Sequence, residues 1–171
     1  MSTTAENLIR GLAANMDTSD AHVLKRTLGR PLEQAKTSEV LAYLNVRGSA
    51  NDTGHYYNEN IGFMLAGIVY THKKDRSLFG AVPFTTVLNR YYLRATDSAK
   101  ETIKAFIDTD IDEYGRFAKR FIYLYNLLKE TPGFNQIDYL ALATDLERWN
   151  DDTGVRIRWA REITRTSKTL D

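Results

Sequence analysis

The sequence predicts an all-α protein with about eight or nine helices in two small packed bundles. Apolar residues recur every three or four positions along most of the chain, which is the spacing that places them on one face of a helix. All three prolines and several of the ten glycines fall between these segments, where they favour turns. β-prone runs such as residues 121–125 lie inside a helical stripe, so no strand is predicted.

Four helices are predicted in the first part of the chain. The first follows the N-terminal residues 2–4, because Thr3 and Glu6 have the spacing of a capping box. The most apolar helix, Asn60–Lys73, has apolar side chains nearly all round, and we expect it at the centre of its bundle. The remaining two helices are predicted from near Asp20 to Gly29 and from the residues after Ser38 to Gly48.

Five further helices follow a predicted loop over residues 75–82. Pro83 suits the first turn of the next helix, since its fixed φ fits that position. Asp97 or Ser98 is predicted to cap the helix after it, and Ser98 and Glu101 have the spacing of a capping box. The last three helices are predicted over Asp112–Lys129, which is the longest, Asp138–Trp149 and Val155–Thr166.

The length and composition limit the class of protein. A chain of 171 residues accommodates one domain or two small halves, and the region 75–97 predicts bundles over residues 1–82 and 83–171, with one compact unit as the alternative. There is no cysteine, which excludes disulfides, cysteine nucleophiles and Cys-ligated zinc. No apolar stretch of membrane-spanning length and no secretory signal occur, so we expect no membrane association and a cytoplasmic location.

The formal net charge of +1 conceals patches of opposite sign. Residues 131–153 carry five acids against one base, a net charge of −4. Residues 21–76 carry eight bases against five acids, and residues 154–171 carry five against two, so each segment has a net charge of +3. We expect the acidic segment to face protein or solvent and the basic segments to face an anionic partner.

The bases share faces of the predicted helices, and this pattern indicates binding to a nucleic-acid backbone. A row of Lys and Arg neutralises phosphates and gains from counterion release, and interleaved Tyr can stack on bases. A solvated helix face with cations near helix C-termini is the alternative explanation. The candidate binding residues are Lys25, Arg26, Arg30, Lys73, Lys74, Arg116, Lys119, Arg120, Arg156 and Arg158.

The motifs that resemble catalytic or metal sites are incomplete. The acids of residues 108–113 look like the start of a calcium loop, but Glu113 and Lys119 replace the glycine and glutamate it needs. These acids are better explained as the start of the following helix. No zinc-protease, nucleophile-elbow or P-loop motif occurs, so we expect no enzyme, cofactor or metal. Two alternatives stay open: a helical protein–protein adaptor, and a metal-dependent enzyme that uses these acids or Asp151-Asp152.

Several short motifs occur in a fixed order along essentially the whole chain. They are the basic stretch Leu24-Lys25-Arg26-Thr27-Leu28-Gly29-Arg30-Pro31, the apolar helix over 61–73, Leu127-Leu128, Asp145-Leu146-Glu147-Arg148-Trp149 and Trp159-Ala160-Arg161. In this order and spacing they resemble the small-subunit family of type I-E CRISPR Cascade complexes, often called CasB.

The resemblance implies an all-helical, non-catalytic subunit that contacts the guide–target heteroduplex and helps hold the displaced strand. It implies these partners: the backbone and large subunits of Cascade, CRISPR RNA, target and non-target DNA strands, and a second copy of the chain. Base pairing reads the sequence in such complexes, so the protein supplies charge and shape. By the resemblance, Lys25 and Arg26 match the family's basic pair, Lys73 and Lys74 its basic loop, and Arg156 its basic turn before the last helix.

Overall fold

The computed structural model describes residues 2–28, 30–73, 77–151 and 153–166. Within these ranges it contains nine α-helices and two short 3-10 helices, and no strand, which confirms the all-α prediction. The β-structure in the described ranges amounts to two isolated bridges, Phe79 with Asp138 and Val82 with Ile137. In the described part of the chain, every helix is too short or too polar to cross a membrane.

The chain divides into two compact units. Unit 1 comprises residues 1–78 and unit 2 comprises residues 79–171. The sequence-based assignment of two bundles over 1–82 and 83–171 stays a prediction, which separate expression of those two segments would test.

Unit 1 is built from four α-helices. They are α1 (Thr4–Ala14), α2 (Ser19–Lys25), α3 (Thr37–Val46) and α4 (Glu59–His72). The predicted capping box is present, since Thr3 Oγ1 accepts from Glu6 N at 3.0 Å and Glu6 Oε1 accepts from Thr3 N at 3.4 Å. Helix α2 ends at Lys25, earlier than predicted, with Arg26 as its C-cap.

Helix α4 lies at the centre of unit 1, as its composition predicts. Ten consecutive residues, from Ile61 to Tyr70, are buried, and the helix packs against α1 and α2. Gly62 allows one close approach, because a Cβ there would lie 2.1 Å from the hydroxyl of Tyr43. Tyr70 Oη donates to Leu12 O at 2.8 Å, and burial raises the pKa of Tyr70 far above its ordinary value.

Unit 2 is built from five α-helices. They are α5 (Phe84–Tyr92), α6 (Asp97–Ile107), α7 (Tyr114–Leu127), α8 (Tyr139–Glu147) and α9 (Thr153–Thr164). Pro83 is the N-cap residue of α5 and precedes its first turn. Helix α7 begins at Tyr114 and has 14 residues, the same length as α4, so it is not longer than the central helix of unit 1.

The predicted capping box of Ser98 and Glu101 is wrong. The N-cap of α6 is Thr96, whose backbone is extended and whose Oγ1 accepts from Ala99 N at 3.2 Å. Ser98 therefore lies inside the first turn of the helix. A threonine two positions upstream is an equally good cap, and the spacing from Ser98 to Glu101 alone does not distinguish the two starts.

The core of unit 2 is aromatic. The sequence predicts that Trp149 and Trp159 anchor the last two helices in the core, and both are fully buried, with ring centroids 5.0 Å apart at an interplanar angle of 87°. Phe106 lies at the centre of the cluster. Its ring centroid is 5.1 to 6.2 Å from those of Phe117, Phe121, Trp149 and Trp159. Rings from α6, α7 and α9, with Trp149 after α8, therefore form one cluster.

Candidate nucleic-acid interface

The ten predicted binding residues fall into three groups. Lys25, Arg26, Arg116 and Lys119 are exposed. Lys74 lies outside the described residues. The remaining five are half-buried: Arg30, Lys73, Arg120, Arg156 and Arg158.

Two predicted residues from distant parts of the sequence line one cleft in unit 1. Lys25 is the last residue of α2 and Lys73 is the C-cap of α4. Both line an open cleft of about 320 Å³, together with His22 and with Asp17, the acidic residue of its lining. We call this feature the basic cleft. Three potential cations thus face one acid across a space that fits a phosphodiester group.

The basic cleft lies between α2 and α4, which pack against each other. The hydroxyl of Thr71 has one proton and lies 2.6 Å from Gly67 O of α4 and 3.1 Å from Lys25 O of α2, so it donates to one of these carbonyls at a time. Tyr70, also in the lining, is fixed by its bond to Leu12. Thr71 is not predictable from the sequence, because a threonine in a helix carries no local signal of a contact 46 positions away.

Arg26 extends the basic surface beyond the basic cleft, whereas Arg30 is used inside unit 1. Within the described residues, the side chains of Lys25 and Arg26 make no ion pair. Arg30 donates to Glu39 Oε2 at 2.8 Å, and Glu39 is buried and also accepts from Lys36 N at 2.9 Å. The guanidinium of Arg30 therefore neutralises a buried carboxylate that caps the start of α3.

Helix α7 presents part of its predicted stripe to solvent. Arg116 and Lys119 are exposed, and the ring of Tyr123 is 53% exposed one turn further on. Arg116 Nη1 is 3.5 Å from Glu113 Oε2, a weak exposed pair. Arg120 turns inward instead, and donates from Nη1 to the hydroxyl of Thr109 at 2.6 Å.

Thr109 accepts hydrogen bonds from three side chains that lie far apart in the sequence. Its carbonyl accepts from Trp149 Nε1 at 3.0 Å and from Arg156 Nη2 at 2.9 Å, and its hydroxyl accepts from Arg120. Arg156 also donates to Asn150 Oδ1 at 3.0 Å. Arg120 and Arg156 thus join α7 and α9 to the residue that follows α6.

Arg158 is bound to two carboxylates of unit 2. It donates to Asp145 Oδ1 at 2.5 Å and to Glu162 Oε1 at 3.4 Å. Asp145 Oδ2 accepts from the indole nitrogen of Trp159 at 2.9 Å. Asp145 was expected to face protein partners or solvent with the rest of the acidic segment, but its carboxylate instead bridges α8 and α9.

The acids of residues 108–113 were expected to lie at the start of α7. They do not form its first turn, because that helix begins only at Tyr114. Asp110 accepts from Asp112 N at 2.8 Å and from Asn150 Nδ2 at 2.6 Å. These bonds, with a smaller contribution from Arg156, hold the pKa of Asp110 below its ordinary value. Nowhere in the described ranges do three or more His, Asp or Glu side chains form a group that could hold a metal ion.

The comparison with known families gives one match. A family model described as CRISPR-associated protein Cse2 matches residues 21–162. The matched span begins in α2 and ends in α9. It includes all ten candidate residues, of which every one except Lys74 lies in the described ranges. No curated protein and no solved structure matches the chain.

Proposed function

Because the chain belongs to the family of CRISPR-associated protein Cse2, we propose that it is a non-catalytic subunit of a type I-E CRISPR RNA-guided surveillance complex. The family match bears out the resemblance carried by the motifs. In this proposal the protein acts in the cytoplasm and binds nucleic-acid backbone, where it stabilises the guide–target heteroduplex and the displaced non-target strand. Its partners are the other Cascade subunits, CRISPR RNA, both DNA strands and a second copy of itself.

The basic cleft is the observation that carries the binding proposal. It places Lys25 and Lys73 at one opening of about 320 Å³, and Arg26 lies exposed next to Lys25. Helices α2 and α4 pack against each other, so the helix ends that carry Lys25 and Lys73 are positioned before a ligand arrives. Prepositioned charges lose less conformational entropy on binding than mobile ones.

An electrostatic contribution is sufficient for this role. The exchange of a DNA duplex for a guide–target heteroduplex is nearly balanced in free energy, so a few backbone contacts shift it. Contacts to phosphates position the strand and carry no sequence information. We place the first contacts at Lys25, Arg26, Lys73 and Lys74, and a second set at Arg116 and Lys119.

The inward-facing arginines stay in the proposal with a double role. A guanidinium has five N–H donors, so an arginine that is bound to one or two oxygens keeps donors for a phosphate. Arg30, Arg120, Arg156 and Arg158 each use part of their donors inside the protein. Their substitution is therefore a poor test of binding, because it also changes the fold.

The test uses the exposed pair. We expect the double variant Lys25→Ala with Arg26→Ala to bind single-stranded DNA more weakly than the parent. The slope of log affinity against log salt should fall in magnitude by about 1.4, since each single-strand phosphate contact contributes about 0.7. The charge-matched control is Lys100→Ala with Lys104→Ala on α6, which should leave both affinity and slope unchanged. Fluorescence anisotropy titrations over a salt series measure both quantities.

Two results would contradict the proposal. Equal loss of affinity in the Lys25/Arg26 variant and in the control would show that only net charge matters. Absence of binding to single-stranded DNA and RNA at low salt, both alone and in the assembled complex, would favour the protein–protein adaptor.

A further inference from the structure

Leu28 combines two properties that a leucine rarely has together. Its side chain is 59% exposed, and its backbone φ is +50°. Among the described residues it is the one non-glycine residue with positive φ. In this left-handed conformation the Cβ atom crowds the following carbonyl, so residues other than Gly, Asn and Asp adopt it at a cost in free energy. Burial of the leucine side chain does not offset that cost here.

Thr27 and Arg30, which lie on either side of Leu28 in the chain, are both held by hydrogen bonds. Thr27 is fully buried, and its hydroxyl donates to Leu24 O at 2.8 Å. Arg30 N donates to Thr27 O at 2.9 Å, and the Arg30 guanidinium is held by Glu39. Strained conformations persist where the surrounding structure over-determines them, and they cluster at binding sites. The turn therefore keeps the side chain of Leu28 exposed to solvent.

The position of this leucine points to its ligand. Leu28 follows the exposed cations Lys25 and Arg26 within one turn of chain. A strand whose phosphates bind these cations brings its bases to the same surface, and bases present flat apolar faces. Leucine is among the side chains that proteins insert against or between bases, and such contacts do not depend on sequence.

We propose that Leu28 is an apolar contact for the bases of the strand whose phosphates bind Lys25 and Arg26. This inference rests on the proposed function, since it assumes that single-stranded DNA occupies this surface. The left-handed backbone serves to direct the side chain outward, because a residue with negative φ at this turn would redirect its Cα–Cβ bond.

The experiment compares three variants of the full chain. Leu28→Asn removes the apolar group and tolerates positive φ, whereas Leu28→Ala removes the group and keeps the strain. Leu41→Asn is the matched control, because Leu41 is similarly exposed, at 56%, but belongs to α3 and has an ordinary helical backbone. The probes are a labelled single-stranded DNA of mixed sequence and an abasic oligonucleotide of the same length.

We expect both Leu28 variants to lose about fivefold in affinity for the base-bearing strand, which corresponds to about 1 kcal/mol, at the low end for a base contact. Their affinity for the abasic strand and their salt slopes should equal those of the parent, because no charge changes. Leu28→Asn should also raise Tm by about 2 °C, since it relieves the strain, whereas Leu28→Ala should not. Leu41→Asn should change none of the binding constants.

The outcomes separate this inference from the proposed function. If the Leu28 variants bind like the parent while Lys25→Ala with Arg26→Ala binds more weakly, the base contact is wrong and the proposed function stands. Equal losses on the base-bearing and abasic strands would assign Leu28 to the backbone or the fold and overturn the inference. Normal DNA binding with loss of association to neighbouring subunits would make Leu28 a protein contact and also overturn it. If Lys25→Ala with Arg26→Ala has no effect, the proposed function and this inference both fail.

Discussion

Unit 1 and unit 2 are built around different kinds of core. Among the described residues, unit 2 buries nine aromatic side chains and unit 1 buries four, so the core of unit 1 consists mainly of aliphatic residues around α4. Aromatic residues such as Trp and Tyr carry polar atoms that need partners when they are buried. In unit 2 these partners are Asp145 and the carbonyl of Thr109 for the two indoles, and a hydroxyl–hydroxyl bond between Tyr125 and Tyr139.

This difference explains how the two units use their charges. The polar atoms of the aromatic core draw Asp145, Arg156 and Arg158 into internal contacts, so several charges of unit 2 contribute to folding. The aliphatic core of unit 1 has few such requirements, and it leaves Lys25 and Arg26 on the surface. Similar rows of bases in a sequence can therefore stay exposed in one part of the protein and make internal contacts in another.

The largest expected effect tests the aromatic core. Phe106→Ala should destabilise unit 2 by about 3–5 kcal/mol, because it removes a buried ring with four aromatic neighbours. The matched variant in unit 1 is Phe63→Ala, whose recorded aromatic neighbour is Tyr43. It should cost about 1–2 kcal/mol less, since aromatic pairs contribute beyond area burial.

Both tryptophans lie in unit 2, so their fluorescence reports on that unit, whereas far-UV circular dichroism reports on both. Denaturant unfolding followed by both signals measures the two variants. Equal costs for Phe106→Ala and Phe63→Ala would show that the aromatic clustering adds nothing to the stability of unit 2.

A smaller effect is expected at the carboxylate that links α8 and α9. Asp145→Ala should cost about 2–3 kcal/mol, because it leaves the indole N–H of the buried Trp159 and the guanidinium of Arg158 without this acceptor. A double-mutant cycle with Trp159→Phe should give a coupling energy of about 1 kcal/mol. The control Glu101→Ala removes a carboxylate that is 74% exposed and should change stability by less than about 0.5 kcal/mol. Additive effects in the cycle would refute the internal role of Asp145.

The next prediction separates two predicted binding residues within unit 1. Arg30→Ala should cost about 1–2 kcal/mol, because the buried carboxylate of Glu39 loses its cation. Adding Glu39→Gln should recover part of that loss, since no buried charge is then left unpaired. Lys25→Ala, by contrast, should stay within about 0.5 kcal/mol of the parent, as for other exposed residues. Thermal unfolding measures all three variants. An unchanged Tm for Arg30→Ala would show that Arg30 contributes no more to stability than an exposed base such as Lys25.

The last effect is absent at neutral pH and appears only at high pH. Burial raises the pKa of Tyr139 to about 12 and the pKa of Tyr125 well above its ordinary value, whereas an unfolded tyrosine titrates near 10. The folded state therefore favours the protonated phenols, so their contribution is complete below about pH 10 and is lost as the pH rises toward 12. The free energy of unfolding should therefore fall progressively above about pH 10.

The double variant Tyr125→Phe with Tyr139→Phe should lose less stability at high pH, measured as the urea midpoint over a pH series. The control Tyr123→Phe, at an exposed position, should decline like the parent. The decline that persists in the double variant includes the contribution of Tyr70 in unit 1. An unaltered slope would mean that the tyrosine pair does not control the alkaline stability of unit 2.

Features that depend on near neighbours in the chain are predictable from the sequence. The capping box of Thr3, the central position of α4 and the burial of Trp149 and Trp159 all follow from spacing or periodicity. The start of α6 was misplaced because Thr96 and Ser98 are competing caps, and the choice depends on backbone conformation that spacing does not report.

Features that depend on distant neighbours are not predictable in this way. The helical spacing of Arg116, Lys119 and Arg120 predicts one shared face, but the hydroxyl of Thr109 draws Arg120 out of it. Lys25 and Lys73 were each singled out as basic residues, and only the packing of α2 against α4 shows that they line one cleft.

Thr109 also sets an order for assembly during synthesis. Its three partners lie 11, 40 and 47 positions further along the chain. Contacts of such separation form only after the intervening chain has been made and its loop entropy lost. Translation proceeds from the N-terminus, so the helices that form the basic cleft can pack while unit 2 still waits for Arg156 to leave the ribosome. The basic cleft can thus be completed before the Thr109 junction, which is among the last contacts to form.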